Sequence, residues 1–260
     1  MSLFSTPFFP DRDAAVVTGA GNGIGRAIAQ ALVGEGVRTL FADVREDTVM
    51  AAVAASPRPD LAVPWVGDLA QASECESLVR HAQSTLGLVT HFVHSASPPR
   101  REVDHVLSVD DDTWRRMRAV NVDAGFHLAR GFARALITAK TPGSFLMLTS
   151  LHAQTPRNLP HYSTSKAALG MMVKELAKSL GRYRIRVNAL VPGAIAAGGF
   201  AADPALARHI PLGRLGQSED LAPMALTVLS NQLSGYVTGA AFVVDGGLAL
   251  TNWFEPPVLE

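Results

Sequence analysis

The chain carries a single cysteine, Cys75. One thiol cannot close an internal disulfide, and no Cys/His spacing resembles a zinc site. Cys75 reads as a helix residue without a chemical role, and a reducing cytoplasm suits it. Net charge is also absent, at a formal value of +0. No global field therefore draws nucleic acid or an anionic membrane. There is no apolar run of about 18 residues, the length a membrane span needs. The apolar stretch from Met1 to Pro10 lacks a basic lead and a small-residue cleavage site, so a signal peptide is not expected. Its phenylalanines are expected to pack on the body or on a neighbouring subunit. No G-K-[ST] follows a glycine-rich stretch, which disfavours a P-loop phosphotransferase. Repeats, low-complexity tracts and interdomain linkers are missing too. The 260 residues are read as one domain, with residues 1–12 as an N-terminal extension and 248–260 as a C-terminal tail.

What is present is alternation. Short apolar runs begin with Ala14–Val17 and Thr39–Ala42, continue through Leu61–Val66, Phe92–Val93, Phe145–Leu148 and Val187–Val191, and end with Phe242–Val244. They lack a polar–apolar alternation, as strands covered on both faces do. Between them lie helical patterns; Ile24, Ala27, Ile28, Ala31 and Leu32 mark one apolar face. Strands alternating with helices imply right-handed crossovers and an α/β fold built on a parallel sheet of about seven strands. Pro64 demotes the third strand to an edge, consistent with the order 3-2-1-4-5-6 of a doubly wound sheet. Residues 193–213 are the least periodic long stretch and read as a substrate lid.

Chemistry concentrates at two places. Thr18-Gly19-Ala20-Gly21-Asn22-Gly23-Ile24-Gly25 lies between the first strand and the first helix. Glycines there let backbone N–H groups approach a pyrophosphate at the helix N-terminus. Asp43 ends the second strand, where a carboxylate accepts both ribose hydroxyls of NAD and repels a 2′-phosphate. NAD is therefore favoured over NADP, although Arg45 nearby could serve NADP. Asp43 could equally be an N-cap for the next helix, and Asp68-Leu69 could either contact adenine or cap a helix. Tyr162 and Lys166 sit at i and i+4 of a helix that starts near His161, so phenol and ammonium share a face. An adjacent ammonium favours the phenolate and makes the tyrosine a candidate general acid or base.

These motifs, in this order, resemble the short-chain dehydrogenase/reductase family over nearly the whole chain. The T-G-x-x-x-G-x-G turn is Thr18 to Gly25, the Y-x-x-x-K pair is Tyr162 and Lys166, and the P-G motif is Pro192-Gly193. The helix asparagine matches Asn121, and Ile210–Gly216, Val237–Gly239 and Val244–Gly247 look like the family's C-terminal pattern. The resemblance implies a Rossmann-type fold and a catalytic set of Asn121, Ser150, Tyr162 and Lys166. It implies cofactor contacts from Gly19, Asn22, Gly23, Ile24, Asp43, Val44, Asp68, Leu69, Ser95, Ala96, Pro192, Gly193 and Ile195, with Tyr162 and Lys166 sharing that work. Lys166 would bind the nicotinamide ribose, and Asn121 would hold a water linking Lys166 to solvent. Three departures stand out. The family's N-N-A-G segment appears as His94-Ser95-Ala96-Ser97. Ala197 replaces a threonine that usually follows the P-G motif. Ser150 stands one residue closer to the tyrosine than the family's serine, and Thr149 has the usual spacing. The strand-end pattern Leu148-Thr149-Ser150 favours Ser150.

The expected reaction is hydride transfer between a secondary alcohol or carbonyl and nicotinamide, with Tyr162 moving the proton and Ser150 bonding the substrate oxygen. Two alternatives are an NADP-dependent 3-oxoacyl thioester reductase and a nucleotide-sensing protein that has lost turnover. His152 and His161 are expected to shape the pocket or face solvent. Arg100 and Arg101, after Pro98-Pro99, could clamp an anionic substrate but read better as a solvated loop. Helices near 110–137 and 163–182 carry Leu128, Phe132 and Leu136, and Met171, Met172 and Leu180, read as apolar faces left over after covering the sheet. A homotetramer is what the resemblance implies, with Trp253 and Phe254 of the tail on a neighbouring subunit.

Overall fold

The computed structural model describes residues 8–101, 103–196 and 204–250. The chain runs β1 (Ala14–Thr18), α1 (Gly23–Gly34), β2 (Arg38–Asp43), α2 (Glu46–Ala54), β3 (Ala62–Val66), α3 (Ala72–Leu86) and β4 (His91–His94). It continues through α4 (Asp111–Arg118), α5 (Ala124–Thr138), β5 (Gly143–Leu148), α6 (Pro160–Leu180), β6 (Ile185–Pro192) and a two-residue strand β7 (Ile195–Ala196). The remainder is α7 (Pro204–Ala207), β8 (Gly216–Gln217), α8 (Ala222–Leu229), α9 (Asn231–Ser234) and β9 (Ala241–Val244). Seven strands form one parallel sheet in the order β3-β2-β1-β4-β5-β6-β9, and β7 pairs with β8 apart from it. Pro64 lies on the edge strand, paired with Phe41 on one side only, where a missing N–H costs no ladder bond. The third strand starts one residue later than its apolar run, because Leu61 closes a short turn that begins at Pro59.

Side chains alternate across the sheet. Val16, Leu40 and Phe145 point into a core shared with α3, α5 and α6, while Val17, Phe41 and Leu146 point into a second core shared with α1, α2 and α8. Strands buried on both faces have no polar side to show, which explains their continuous apolar runs. Phe9 of the N-terminal extension packs on the body, 5.3 Å from the His91 ring and edge-on to it. Cys75 is buried in α3, and burial pushes its thiol up to about 11. Among the described residues no helix is long and apolar enough to cross a membrane. Of the lid region, residues 197–203 lie outside the described residues, as do residues 1–7 and 251–260. The described remainder of the lid is not featureless, since β7 and α7 fall within it.

Candidate active site

All the strands of a parallel sheet end on one side, and ligands sit in the crevice outside those carboxyl ends. The residues singled out from sequence gather there. β1 ends at Thr18, and Gly19 turns the chain at φ +66°. A side chain at Gly19 would also meet the backbone of Ala96 at 2.8 Å, so glycine is required both for the turn and for the close approach. Asn22 is the extended N-cap of α1, and Gly23 and Ile24 open the helix. Asp43 ends β2, and its Oδ2 accepts the Gly21 N–H at 2.9 Å while Oδ1 accepts the Arg45 N–H at 3.1 Å. Asp43 is therefore not the N-cap of α2; Arg45 holds that position. A cleft lined by Gly19, Asp43, Val44, Asp68, Leu69 and Ala96 lies between these strand ends. Asp68 does not cap α3, whose N-cap is Gln71. It accepts the Ala70 N–H and takes both guanidinium arms of Arg116 at 3.0 and 3.2 Å. Arg116, which also lines the cleft, carried no signal in the sequence.

Pro192 ends β6, Gly193 follows it, and Ile195 begins β7. A side chain on Gly193 would press against Asp245 at 2.6 Å, so the turn out of β6 packs directly on the chain leaving β9. Ser95 and Ala96 follow β4, and both their N–H groups donate to the Thr18 hydroxyl, at 3.1 and 3.2 Å. His94 completes this knot. Its Nδ1 lies 3.0 Å from Thr18 Oγ1, and its Nε2 lies 3.0 and 3.2 Å from the carbonyls of Val120 and Asn121. Carbonyls only accept, so Nε2 carries the proton and the Thr18 hydroxyl donates to Nδ1. The histidine that departs from N-N-A-G thus ties β1 and β4 to the segment holding Asn121.

That segment, Ala119–Asp123, is one π-helical turn between α4 and α5, a local widening that often marks a functional position. Asn121 is fully buried and its Nδ2 donates to Ser165 Oγ at 2.8 Å. Its Oδ1 is buried without a partner among the described residues. α6 starts at Pro160, a position where proline is pre-shaped for the helix. Tyr162 and Lys166 follow one turn apart, 7% and 3% exposed. Lys166 Nζ donates to the Leu148 carbonyl at the end of β5, at 2.8 Å, and lies 5.5 Å from the centre of the Tyr162 ring. Burial first, and the Arg100 cation second, push the lysine down to about 7.

The two hydroxyl candidates separate cleanly. Thr149 donates its hydroxyl to the Leu190 carbonyl at 3.2 Å and so belongs to the sheet. Ser150 turns out of the strand, and its Oγ accepts the His152 N–H at 3.2 Å, leaving the hydroxyl proton to give. His152 stands edge-on to Tyr162 at 5.2 Å, and burial, then Arg100 and Arg157, push it down to about 4. His161 points away to Asp104, 3.9 Å distant, too far for a hydrogen bond. Arg101 is held by Asp104 at 2.8 Å. Arg100 is not a freely solvated loop residue, because its guanidinium lies over the Tyr162 ring at 4.5 Å. Loop residues have no periodicity to read, so the sequence left it between an anion clamp and a solvated residue and could not show the ring it meets. Ala197 lies outside the described residues.

A family model described as enoyl-(acyl carrier protein) reductase matches residues 19–249. Galactitol 2-dehydrogenase (L-tagatose-forming) of Cereibacter sphaeroides is 33% identical over 94% of this chain and 98% of its own. The (3R)-3-hydroxyacyl-CoA dehydrogenase of Mus musculus is 31% identical over 90% of this chain and 95% of its own. 3beta-hydroxysteroid dehydrogenase 1 of Eggerthella lenta is 35% identical over 92% and 95%. The crystal structure of a short-chain type dehydrogenase/reductase from Mycobacterium marinum superposes with a TM-score of 0.87, at 29% identity, over 95% of this chain and 99% of that one.

Proposed function

Because the chain belongs to the short-chain dehydrogenase/reductase family and is an oxidoreductase acting on CH–OH groups, we propose that it oxidises a secondary alcohol, reversibly, with NAD. The observation that carries this reading is the burial of Tyr162 and Lys166 one turn apart across the end of β5. Tyr162 takes the hydroxyl proton or returns it. Ser150 donates to the substrate oxygen as charge grows there. Lys166, poised near 7 by burial, exchanges protons at the working pH and offers its ammonium to the nicotinamide ribose. The buried, unpartnered Oδ1 of Asn121 is an acceptor for a water on the path from Lys166. When bound, NAD supplies the ring carbon that accepts the hydride. The residues suit it: Asp43 opens on the cleft with acceptor capacity beyond its two backbone bonds, and Arg116 is already taken up by Asp68. A 2′-phosphate would meet the Asp43 carboxylate, and Arg116 is not there to offset it. Arg45, exposed beside Asp43, is the rival.

The relatives' names span a polyol, a steroid and an acyl thioester, so they define the alcohol chemistry and leave the substrate open. The same reading includes a homotetramer at work in the cytoplasm. Two features support it: outward apolar side chains on α4, α5 and α6, and a lone thiol with no disulfide partner. The test is kcat/KM with NAD and NADP over an alcohol panel, for the wild type and Tyr162→Phe. NAD should be preferred, and the variant should lose roughly 100-fold or more. Equal use of NADP removes the role of Asp43, and a Tyr162→Phe enzyme at near-normal rate removes the mechanism.

A further inference from the structure

Arg100 is an exposed arginine whose guanidinium, among the described residues, lies against the catalytic ring and against no carboxylate. Its guanidinium lies over the Tyr162 ring at 4.5 Å, a contact made through charge and ring face that does not use up the N–H donors of the group. Buried Lys166 and His161 and half-buried His152 feel its charge, since it helps to hold all three below their ordinary values. Arg157 acts on His152 in the same way. Among the described residues neither Arg100 nor Arg157 has an ion pair. The nearby carboxylate, Asp104, is consumed by Arg101, which gives it a backbone N–H at 3.1 Å and two side-chain N–H bonds at 3.1 and 2.8 Å. Asp104 is itself buried beside His161 of α6. The loop bearing Arg100 is thereby packed against the helix that bears Tyr162.

We propose that Arg100 binds a carboxylate of the substrate, and that the substrate is a small hydroxy acid whose carboxylate lies a few bonds from the carbinol carbon. The proposal rests on the dehydrogenase reading above. A substrate hydroxyl bonded to the Tyr162 phenol lies against the ring that Arg100 covers, so only an anion close to the carbinol carbon reaches the fork. Planar bidentate pairing suits a carboxylate. The phosphates of an acyl-CoA are too far along their chain to meet it, and a polyol or sterol has no charge to offer. With NAD bound, the hydroxy acid would give its hydroxyl proton to Tyr162 and its carbinol hydride to the nicotinamide, becoming the keto acid. The carboxylate is unchanged throughout. Arg100 therefore stabilises bound substrate and transition state alike, and its loss should appear in KM.

The experiment compares 2- and 3-hydroxybutyrate with their methyl esters, and with galactitol, for the wild type, Arg100→Gln and Arg100→Lys in the presence of NAD. The wild type should prefer the acids, and Arg100→Gln should raise their KM by about 10- to 100-fold with the esters unaffected. Loss of the Arg100 charge also shifts the pH profile through Lys166, but equally for acid and ester, so the acid/ester ratio isolates the contact. Esters or galactitol used as well as the acids by the wild type, or a ratio that survives Arg100→Gln, overturns the proposal. Should none of these alcohols be oxidised, calorimetric titration of 3-hydroxybutyrate decides: binding lost in Arg100→Gln upholds the carboxylate site, and no binding to the wild type overturns it. Failure of the dehydrogenase reading looks different, with carboxylate binding intact and no nicotinamide reduced by any alcohol.

Discussion

Thr149 and Ser150 are neighbours with similar chemistry and opposite prospects. Thr149 is committed to the Leu190 carbonyl, while Ser150 leaves the strand and keeps a proton to donate. Ser150→Ala should lower kcat by about 100-fold, the cost of one lost donor at a developing oxyanion. Thr149→Ala should change kcat little and cost stability of about 1 kcal/mol for a lost buried hydrogen bond. Steady-state kinetics with thermal unfolding on both variants checks this, and the reverse pattern moves the role to Thr149. Residues of this kind were legible in the sequence because their chemistry repeats at fixed offsets: Tyr162 and Lys166 by the helical turn, Asp43 by its place after a glycine turn. Arg100 read better as a solvated loop residue than as an anion clamp, and Arg116 gave no signal, because a loop cation and a helix-surface cation leave no periodic mark. Only the fold shows which ring or carboxylate they meet.

At the scale of elements, the sequence showed strands and helices but not their joints. The helix holding Asn121 reads as continuous, yet it widens into a π turn at Ala119–Asp123, and two of that turn's carbonyls accept from His94 Nε2. His94 read only as part of a departure from the N-N-A-G segment; in the fold it is the tether between β1, β4 and the π turn. That tether works only with a neutral ring, because Nδ1 must accept from Thr18. Burial first, and the Lys166 charge second, push His94 from 6.5 down to about 4. The folded value lies below the unfolded one, so the unfolded chain binds more protons as pH drops. The stability His94 contributes is complete above 6.5 and is lost as pH falls through 4. The penalty should reach on the order of 2 to 3 kcal/mol at the bottom of that window. Thermal unfolding midpoints from pH 7 to 4 should fall more steeply for the wild type than for His94→Asn. His152, depressed in the same direction, leaves a residual slope in both. Parallel curves would mean that His94 is not the group being titrated.

At the scale of the whole molecule, the apolar faces anticipated from the helices need correction. Leu128, Phe132 and Leu136 are fully buried against the sheet, and Met172 and Leu180 pack on the same core. Periodicity finds an apolar stripe but cannot tell a sheet-facing stripe from an outward one when the helix has both. What faces outward is Trp114 on α4, Phe126 on α5 and Met171 on α6, at 42%, 39% and 57% exposure. These large apolar side chains, left exposed on the outer helices, are ones a second copy would cover, and closed two-fold pairs are the usual way to do so. The tail expectation rests on Trp253 and Phe254, which lie outside the described residues. Its start is in place, where Asp245 accepts the N–H groups of Gly247 and Ala249 at 2.8 and 2.7 Å. Light scattering on the full chain at micromolar concentration should give a tetramer. Phe126→Glu combined with Met171→Glu should give a smaller species, since each buries a charge at the contact without touching the core. A chain ending at Leu250 tests the tail separately, and an unchanged tetramer there leaves assembly to the helices alone. A monodisperse wild-type monomer would show that the exposed face is not an interface between copies.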